Sequence, residues 1–233
     1  MFPAVSRGGG PATGAERILG LDEAGRGSLV GPLVVGGFCV SSDRLDELVA
    51  TGAKDSKALS PAARERIFAA LAPVGSRDTV VLSPRRVDRA VEKGRLNTLE
   101  AEAFARLIRE HDPDIAYVDA CDPDERRFGR TVARLAGGSS RVVARHHADR
   151  DVPVVGAASI VAKVCRDRAL ARLRTTLGEE LGSGYPSDPK TVAFARAFLS
   201  DGTAVPPWMR RSWGTMQRVM PRRPARTLEG FAP

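Results

Sequence analysis

The chain has 233 residues, enough for one domain of roughly 200 residues plus tails, and 42% of them are hydrophobic, so a core can form without disulfides or structural metal. No apolar run approaches the roughly 20 residues a membrane helix needs; the longest, residues 29–40, is broken by Gly31, Pro32, Gly36 and Gly37. The net charge is +8, and residues 204–233 carry +5 of it, with six arginines against Glu229. Such a basic segment either attracts a polyanion, most often nucleic acid, or is a solvated tail with no partner.

Residues 1–16 are rich in Gly, Ala and Pro, with Arg7 as the one basic residue. They lack the apolar block of a signal peptide and read as a flexible leader. Strands are expected at 17–22 and 33–40, joined by a turn through Gly25, Gly27 and Gly31, and again at 78–82, 115–119 and 141–144. Ser60-Pro61 and Ser83-Pro84 each pair an N-cap residue with proline at the first helical position. Asn97 followed by Glu100 resembles a capping box ahead of Leu99, Phe104, Leu107 and Ile108. Helices are also expected at 124–135, 153–177, 190–199 and 208–219, with Gly156-Ala157-Ala158-Ser159 allowing close packing. A strand–turn–strand opening suggests antiparallel pairing, and the later crossovers suggest parallel pairing. The expected architecture is an α/β domain over 17–178, a mixed five-stranded sheet flanked by helices, with a helical extension and basic tail over 179–233.

Cys39, Cys121 and Cys165 are far apart and form no CxxC spacing, so reduced thiols in a cytosolic protein are expected rather than a zinc ribbon or redox pair. His146-His147 is adjacent rather than spaced along a helix face, which disfavours zinc. Four acids stand where surface acids are uncommon. Asp22 and Glu23 end an apolar strand at the AGRG turn; they can converge on one metal only if the strand breaks there, and Gly25 and Gly27 offer that break. Asp22 can equally be a turn-forming residue. Asp119 ends the strand IAYVD, on the carboxyl edge where open sheets build sites. Asp149 precedes the long helix, and Asp151, closer still, is the better candidate for facing that helix's N-terminus. Asp122, Asp124 and Glu125 read as turn and helix start. Hard oxygen ligands of this kind suit Mg²⁺ or Mn²⁺, and two such ions could serve an in-line displacement at phosphorus.

The blocks LGLDEAGRGSLVGPLVV, AKDSKALSPAARERI, AYVDACD, HHADRDVPVVGAASIVAKVCRDR, GSGYPSDPKT and PPWMRRSWGT, in this order, resemble ribonuclease HII over about residues 18–215. The GSGYPSDP and RRSWGT blocks are similar to the archaeal-type and eukaryotic branch. The resemblance implies a ribonuclease H-like fold and cleavage on the 5′ side of ribonucleotides, leaving 3′-hydroxyl and 5′-phosphate ends. Its partners would be RNA–DNA hybrid and ribonucleotide-containing duplex DNA, with Mg²⁺ or Mn²⁺ as cofactor. It assigns the catalytic, metal-holding acids to Asp22, Glu23, Asp119 and Asp149. It assigns 2′-hydroxyl sensing to Gly25-Arg26-Gly27, stacking at the RNA–DNA junction to Tyr185, and phosphate contacts to Lys57 and Lys163. Read alone, the two lysines could be plain surface residues, and Tyr185 could merely pack. His147 and Cys165 depart from the family's frequent Lys and Thr. A monomer is expected, with accessory subunits left open. Two rival classes remain: a nucleic-acid-binding module with structural acids, and a DNA junction resolvase on a related fold. Four acids beside a polyanion argue against the first, and the Gly25-Arg26-Gly27 turn with Tyr185 against the second.

Overall fold

The computed structural model describes residues 14–53, 59–178, 181–200, 204–214 and 216. Five strands form one sheet: β1 (Arg17–Ala24), β2 (Leu33–Ser41), β3 (Ser76–Leu82), β4 (Ile115–Asp119) and β5 (Arg141–Arg145). Their spatial order is β3-β2-β1-β4-β5, antiparallel from β3 to β1 and parallel from β1 to β5. The expected mixed sheet is therefore present, with each strand within two residues of its expected bounds. Helices α1 (Leu45–Ala50), α2 (Pro61–Ala70), α3 (Pro84–Glu92), α4 (Leu96–His111), α5 (Glu125–Ala136), α6 (Ala148–Asp151), α7 (Pro153–Leu177) and α8 (Pro189–Leu199) surround it. Among the described residues, no helix is long and apolar enough to cross a membrane.

Strand alternation divides the core into two layers. Leu19 and Leu21 face α4 and α5, where they meet Phe104, Leu107, Ile108, Phe128 and Val132. Ile18, with Phe38 and Val40 of β2, faces α7 and its Val154, Val155, Ala157, Ala158 and Val161. Gly20 and Gly36 lie on this second face. A Cβ on Gly20 would sit 2.0 Å from Val154 O, and one on Gly36 would sit 2.5 Å from Ala158 O. The α7 backbone thus rests directly on the sheet backbone.

The serine caps form as expected: Ser60 Oγ accepts from Ala63 N–H at 3.2 Å, and Ser83 Oγ from Arg86 N–H at 3.4 Å. Three local expectations need correction. Helix α4 begins at Leu96 with Arg95 at the N-cap and no side-chain cap, so Asn97 and Glu100 are not a capping box; both are turned to the Gly25–Gly27 turn. Asp151 lies inside α6, and Val152 caps α7 without a side-chain bond. Residues 208–212 are not helical; Met209 instead bridges Val30 in an antiparallel pair, and most of the remainder of that expected helix lies outside the described residues.

Close contact between α7 and the sheet makes a test. Gly20→Ala and Gly36→Ala should each lose about 1–3 kcal/mol of stability or more. Gly27→Ala, whose added Cβ would meet nothing within 4 Å, should stay within about 0.5 kcal/mol. Thermal unfolding of the three variants decides: equal melting temperatures would mean that α7 can lift off the sheet without penalty.

Candidate active site

The acids gather at the carboxyl ends of β1 and β4. Leu21 is the last residue of β1 paired with β4, opposite Val118. One residue further, Asp22 and Asp119 stand side by side on strands about 4.8 Å apart, both on the α7 face. Asp22 is 4% exposed, and burial pushes its carboxyl from 3.8 up to about 6. Lys163 pulls it down and Asp119 pushes it up. Ser159 and the Glu23 N–H (2.7 Å) hydrogen-bond the Asp22 carboxylate. Glu23 faces the opposite side, toward α4, because β1 does not break until Gly25; the expected strand break at the two acids is absent. Burial, then Asp22, Glu100 and Asp119, hold Glu23 well above the usual carboxylate range. Its Oε2 is buried with no hydrogen-bond partner.

Asp149 is buried on α6, and α6 is tied to Asp119 by the Ala148 N–H, which donates to Asp119 Oδ1 at 3.0 Å. The four expected acids are therefore brought to one sheet edge. Their oxygens are hard donors in excess negative charge, and one of them lacks any partner, which is the donor chemistry a divalent cation takes. Among the described residues, no three carboxylate, imidazole or thiol groups are already closed into a metal-holding cluster; Asp22 and Asp119 instead spend oxygens on backbone N–H groups.

Lys163 belongs to this cluster. Its Nζ donates to Ser159 Oγ at 2.6 Å, one helical turn back on α7. Lys57 lies outside the described residues.

The Gly25-Arg26-Gly27 turn is held from behind. Arg210, fully buried, donates to Arg26 O at 2.6 Å and Gly25 O at 2.7 Å, and Trp213 Nε1–H donates to Gly27 O at 3.0 Å. Burial and nearby Arg166 lower the Arg210 guanidinium to about 10, still charged at neutral pH. The Arg26 side chain turns away to an ion pair with buried Glu100 and a 2.6 Å bond to Asn97 Oδ1. Asn97 Nδ2 in turn donates to Asp122 at 2.7 Å. Asp88 accepts from the N–H groups of Arg211 and Ser212, both at 3.0 Å, and so fixes the loop that carries Arg210.

Tyr185 stands in a second turn that docks on the first. Leu29 and Val30 donate their N–H groups to Gly184 O at 2.8 and 3.0 Å. Between the turns lies Arg166. Its guanidinium stacks 4.3 Å above the Tyr185 ring, and its Nε would sit 2.4 Å from a Cβ on Gly25. Residues far apart in sequence thus form one surface.

Sequence reasoning missed Ser159, Glu100, Arg166, Asp88, Arg210 and Trp213. Two of these left a signal. Glu100 shares the i, i+3, i+4, i+7 stripe of Ala103, Phe104 and Leu107, where an acid needs a buried partner; Arg166 is placed likewise beside Leu170 on α7.

A model of the family described as ribonuclease HII matches residues 19–216. The chain belongs to the ribonuclease HII family. A ribonuclease HII from Methanoregula boonei is 42% identical over 214 residues, which cover 92% of this chain and 99% of that one. The crystal structure of ribonuclease H2 from Pyrococcus horikoshii OT3 superposes with a TM-score of 0.81 at 36% identity, covering 87% of this chain and 96% of that one. The RNase HII of a PCNA:RNase HII complex from Archaeoglobus fulgidus gives 0.80 at 37% identity, with coverages of 88% and 98%. The chain is accordingly a ribonuclease H endonuclease, and ribonuclease H chemistry in this family depends on a divalent metal.

The raised Asp22 carboxyl destabilises the fold once it ionises. Its folded value exceeds its unfolded one, so stability present below pH 3.8 is lost as pH rises through about 6. Asp22→Asn should therefore stabilise the metal-free protein at pH 7–8, by on the order of 1–3 kcal/mol, with the gain fading toward pH 4. Thermal melts across that range are the check; a variant less stable at pH 8 would show that Asp22 is already compensated by Lys163 and Ser159.

Proposed function

We propose that this ribonuclease HII family member cuts the RNA strand of RNA–DNA hybrids and cleaves on the 5′ side of single ribonucleotides in duplex DNA, leaving 3′-hydroxyl and 5′-phosphate ends. In this reading Asp22, Glu23, Asp119 and Asp149 hold two Mg²⁺ or Mn²⁺ ions. Residues 17–178 form the catalytic unit, and residues 179–233 an extension that supports the reading of substrate. Every group in this account comes from one chain.

The observation that carries the proposal is the way the Gly25-Arg26-Gly27 turn is held beside the acids. Its three carbonyls are all engaged, Gly25 and Arg26 by Arg210 and Gly27 by Trp213. Space opens in front of Gly27, where a Cβ would touch nothing. The turn therefore offers its main chain to a ligand at close range. A ribose 2′-hydroxyl is the group that separates RNA from DNA. A site built to hydrogen-bond a hydroxyl rejects the analogue lacking it, because its own polar groups are left unpaired. Tyr185 adds a ring for the neighbouring sugar or base and a hydroxyl of its own. The stacked Arg166 sets its position.

Divalent cations supply Lewis-acid polarisation of phosphoryl oxygens and lower the pKa of water. The chain's own part is to hold the phosphodiester over the acids and to balance their charge. Lys163, anchored on Ser159 beside Asp22, is placed for a phosphate oxygen. No side chain is required as a nucleophile.

The deciding measurement is cleavage of a DNA duplex carrying one ribonucleotide, beside an all-DNA duplex, with Mg²⁺, with Mn²⁺ and with chelator. Cleavage of the ribonucleotide duplex alone, and only with metal, is expected. Asp119→Asn should lose most turnover while remaining folded, since an amide is a poorer ligand for a hard cation. Equal cutting of the all-DNA duplex would overturn the selectivity reading.

The turns make separate predictions. Gly27→Ala should keep its melting temperature and lose turnover on ribonucleotide substrates, because the methyl group fills the approach space. Tyr185→Phe should keep the stack and lose about 1 kcal/mol of transition-state stabilisation. Tyr185→Ala should lose more on a single embedded ribonucleotide than on a long hybrid, which lacks a nearby DNA step. Loss of kcat/KM in equal measure on both substrates would leave Tyr185 as a packing residue.

A further inference from the structure

The turn between α3 and α4 borders a surface cavity of about 160 Å³. Arg89, Lys93, Arg95, Thr98 and Glu102 supply its polar lining. Three cations thus face one carboxylate. Glu102 is drawn toward Arg95, whose Nη2 lies 3.9 Å from its Oε1. Arg89 and Lys93 are exposed and form no ion pair among the described residues. Helix α4 starts at this cavity, and its first turn has neither a side-chain cap nor an acid. Its unsatisfied amides and the positive end of its macrodipole add to the field of the three side chains. The volume is that of about five waters, ample for a tetrahedral oxyanion that keeps part of its hydration.

The position of the cavity gives this chemistry a use. Thr98 follows Asn97, whose Oδ1 accepts from Arg26 Nη2 at 2.6 Å. Within the same first turn, α4 therefore braces the Gly25-Arg26-Gly27 turn on one side and lines the cavity on another. That turn of helix rises only about 5.4 Å.

We propose that this cavity binds a backbone phosphate of the duplex flanking the ribonucleotide held at the Gly25-Arg26-Gly27 turn. Arg89 and Lys93 supply the charge, and Thr98 supplies a hydroxyl donor. The proposal rests on the reading of that turn given above. Free inorganic phosphate shares the chemistry, so the test separates the two sources. Glu102 opposes the bound anion, which gives the proposal a variant of opposite sign.

Steady-state cleavage and duplex affinity are compared for the wild-type chain, Arg89→Ala/Lys93→Ala, Glu102→Gln, and Arg130→Ala/Arg134→Ala. The last removes two exposed arginines of α5 and controls for net charge. All the substituted side chains are exposed or half-buried, and melting temperatures verify folding. Arg89→Ala/Lys93→Ala should raise KM about five- to tenfold, leave kcat within about twofold, and flatten the log–log salt dependence of binding by about 1–2. Glu102→Gln should tighten binding by about two- to threefold. The α5 control should do neither.

Methylphosphonate linkages, placed one at a time through both strands, then locate the contact. One neutral position should weaken binding to the wild-type chain and leave Arg89→Ala/Lys93→Ala unaffected. An α5 control that matches the cavity variant would overturn the proposal, as would a scan with no such position. Inorganic phosphate competing at constant ionic strength without any such position would reveal a free-anion site instead, and that too would overturn it. A wild-type chain that fails to cut ribonucleotide-containing duplex would sink the reading of the turn. One that cuts normally but shows no cavity effect sinks only the cavity.

Discussion

The approach of α7 to the sheet governs everything else at the site. Gly20 and Gly36 leave no side chains beneath the helix, so its backbone lies against theirs. Because Gly36 pairs with Asp22 across β1 and β2, this close approach extends to where the acids begin. One stripe of α7 then meets the functional groups in succession. Ser159 and Lys163 reach Asp22, Arg166 reaches Gly25 and Tyr185, and Leu170 packs against Gly31 and the cluster of Leu29, Val30 and Leu181. The spacing of four, three and four residues is that of a single helix face. A shift of α7 by one side-chain thickness would move all of these together.

Two opposite electrostatic arrangements meet along that stripe. The acids are buried beside one another without enough countercharge, which raises the Asp22 and Glu23 carboxyls. The arginines are buried beside groups that engage part of each guanidinium, although Arg210 Nε and Arg166 Nε find no hydrogen-bond partner. Arg210 is spread over the carbonyls of Gly25, Arg26 and, at 3.4 Å, Gly31, while Arg26 is paired with Glu100. A buried guanidinium whose partners are lost leaves an uncompensated charge, so the arginine set fixes the turn in one conformation. The acid set has the opposite character: its mutual repulsion is what a cation would relieve. In the proposed reading, rigid recognition groups thus stand next to a charge cluster that a cation would complete.

Much of this was legible in the sequence, for identifiable reasons. Strand ends, serine-proline caps and the long small-residue helix are local signals, and each appears within a few residues of where pattern placed it. Asp22, Glu23 and Asp119 stood out because an acid at the end of an apolar strand needs a partner, whereas Asp149 was marked only by its place before the long helix and by the family resemblance. Local pattern misled where a residue's partner is distant. Asn97 and Glu100 have capping-box spacing, but Arg26, more than 70 positions away, takes both side chains. Arg210 has no local signal at all, since its partners lie more than 180 positions back at Gly25 and Arg26. Asp22 and Glu23 were expected to need a strand break; the pleat instead sends them to opposite faces, Asp22 to the α7 lysine and Glu23 to the α4 glutamate.

That division between faces bears on how selectivity and chemistry can share one strand end. Asp22, Asp119 and Lys163 lie on the α7 side, where a phosphate would be handled. Glu23 looks toward Glu100, and Glu100 holds Arg26. Glu23 is therefore the acid whose surroundings connect directly to the turn that would read the sugar. A change at the turn that disturbs Arg26 would alter the charge that Glu100 presents to Glu23, and in the proposed reading a cation at Glu23 would alter the field at Arg26 in return. Linkage of this kind is reciprocal. The Arg26–Glu100 pair, buried at Glu100 and half-buried at Arg26, would give it a physical carrier, two side chains rather than a movement of the fold.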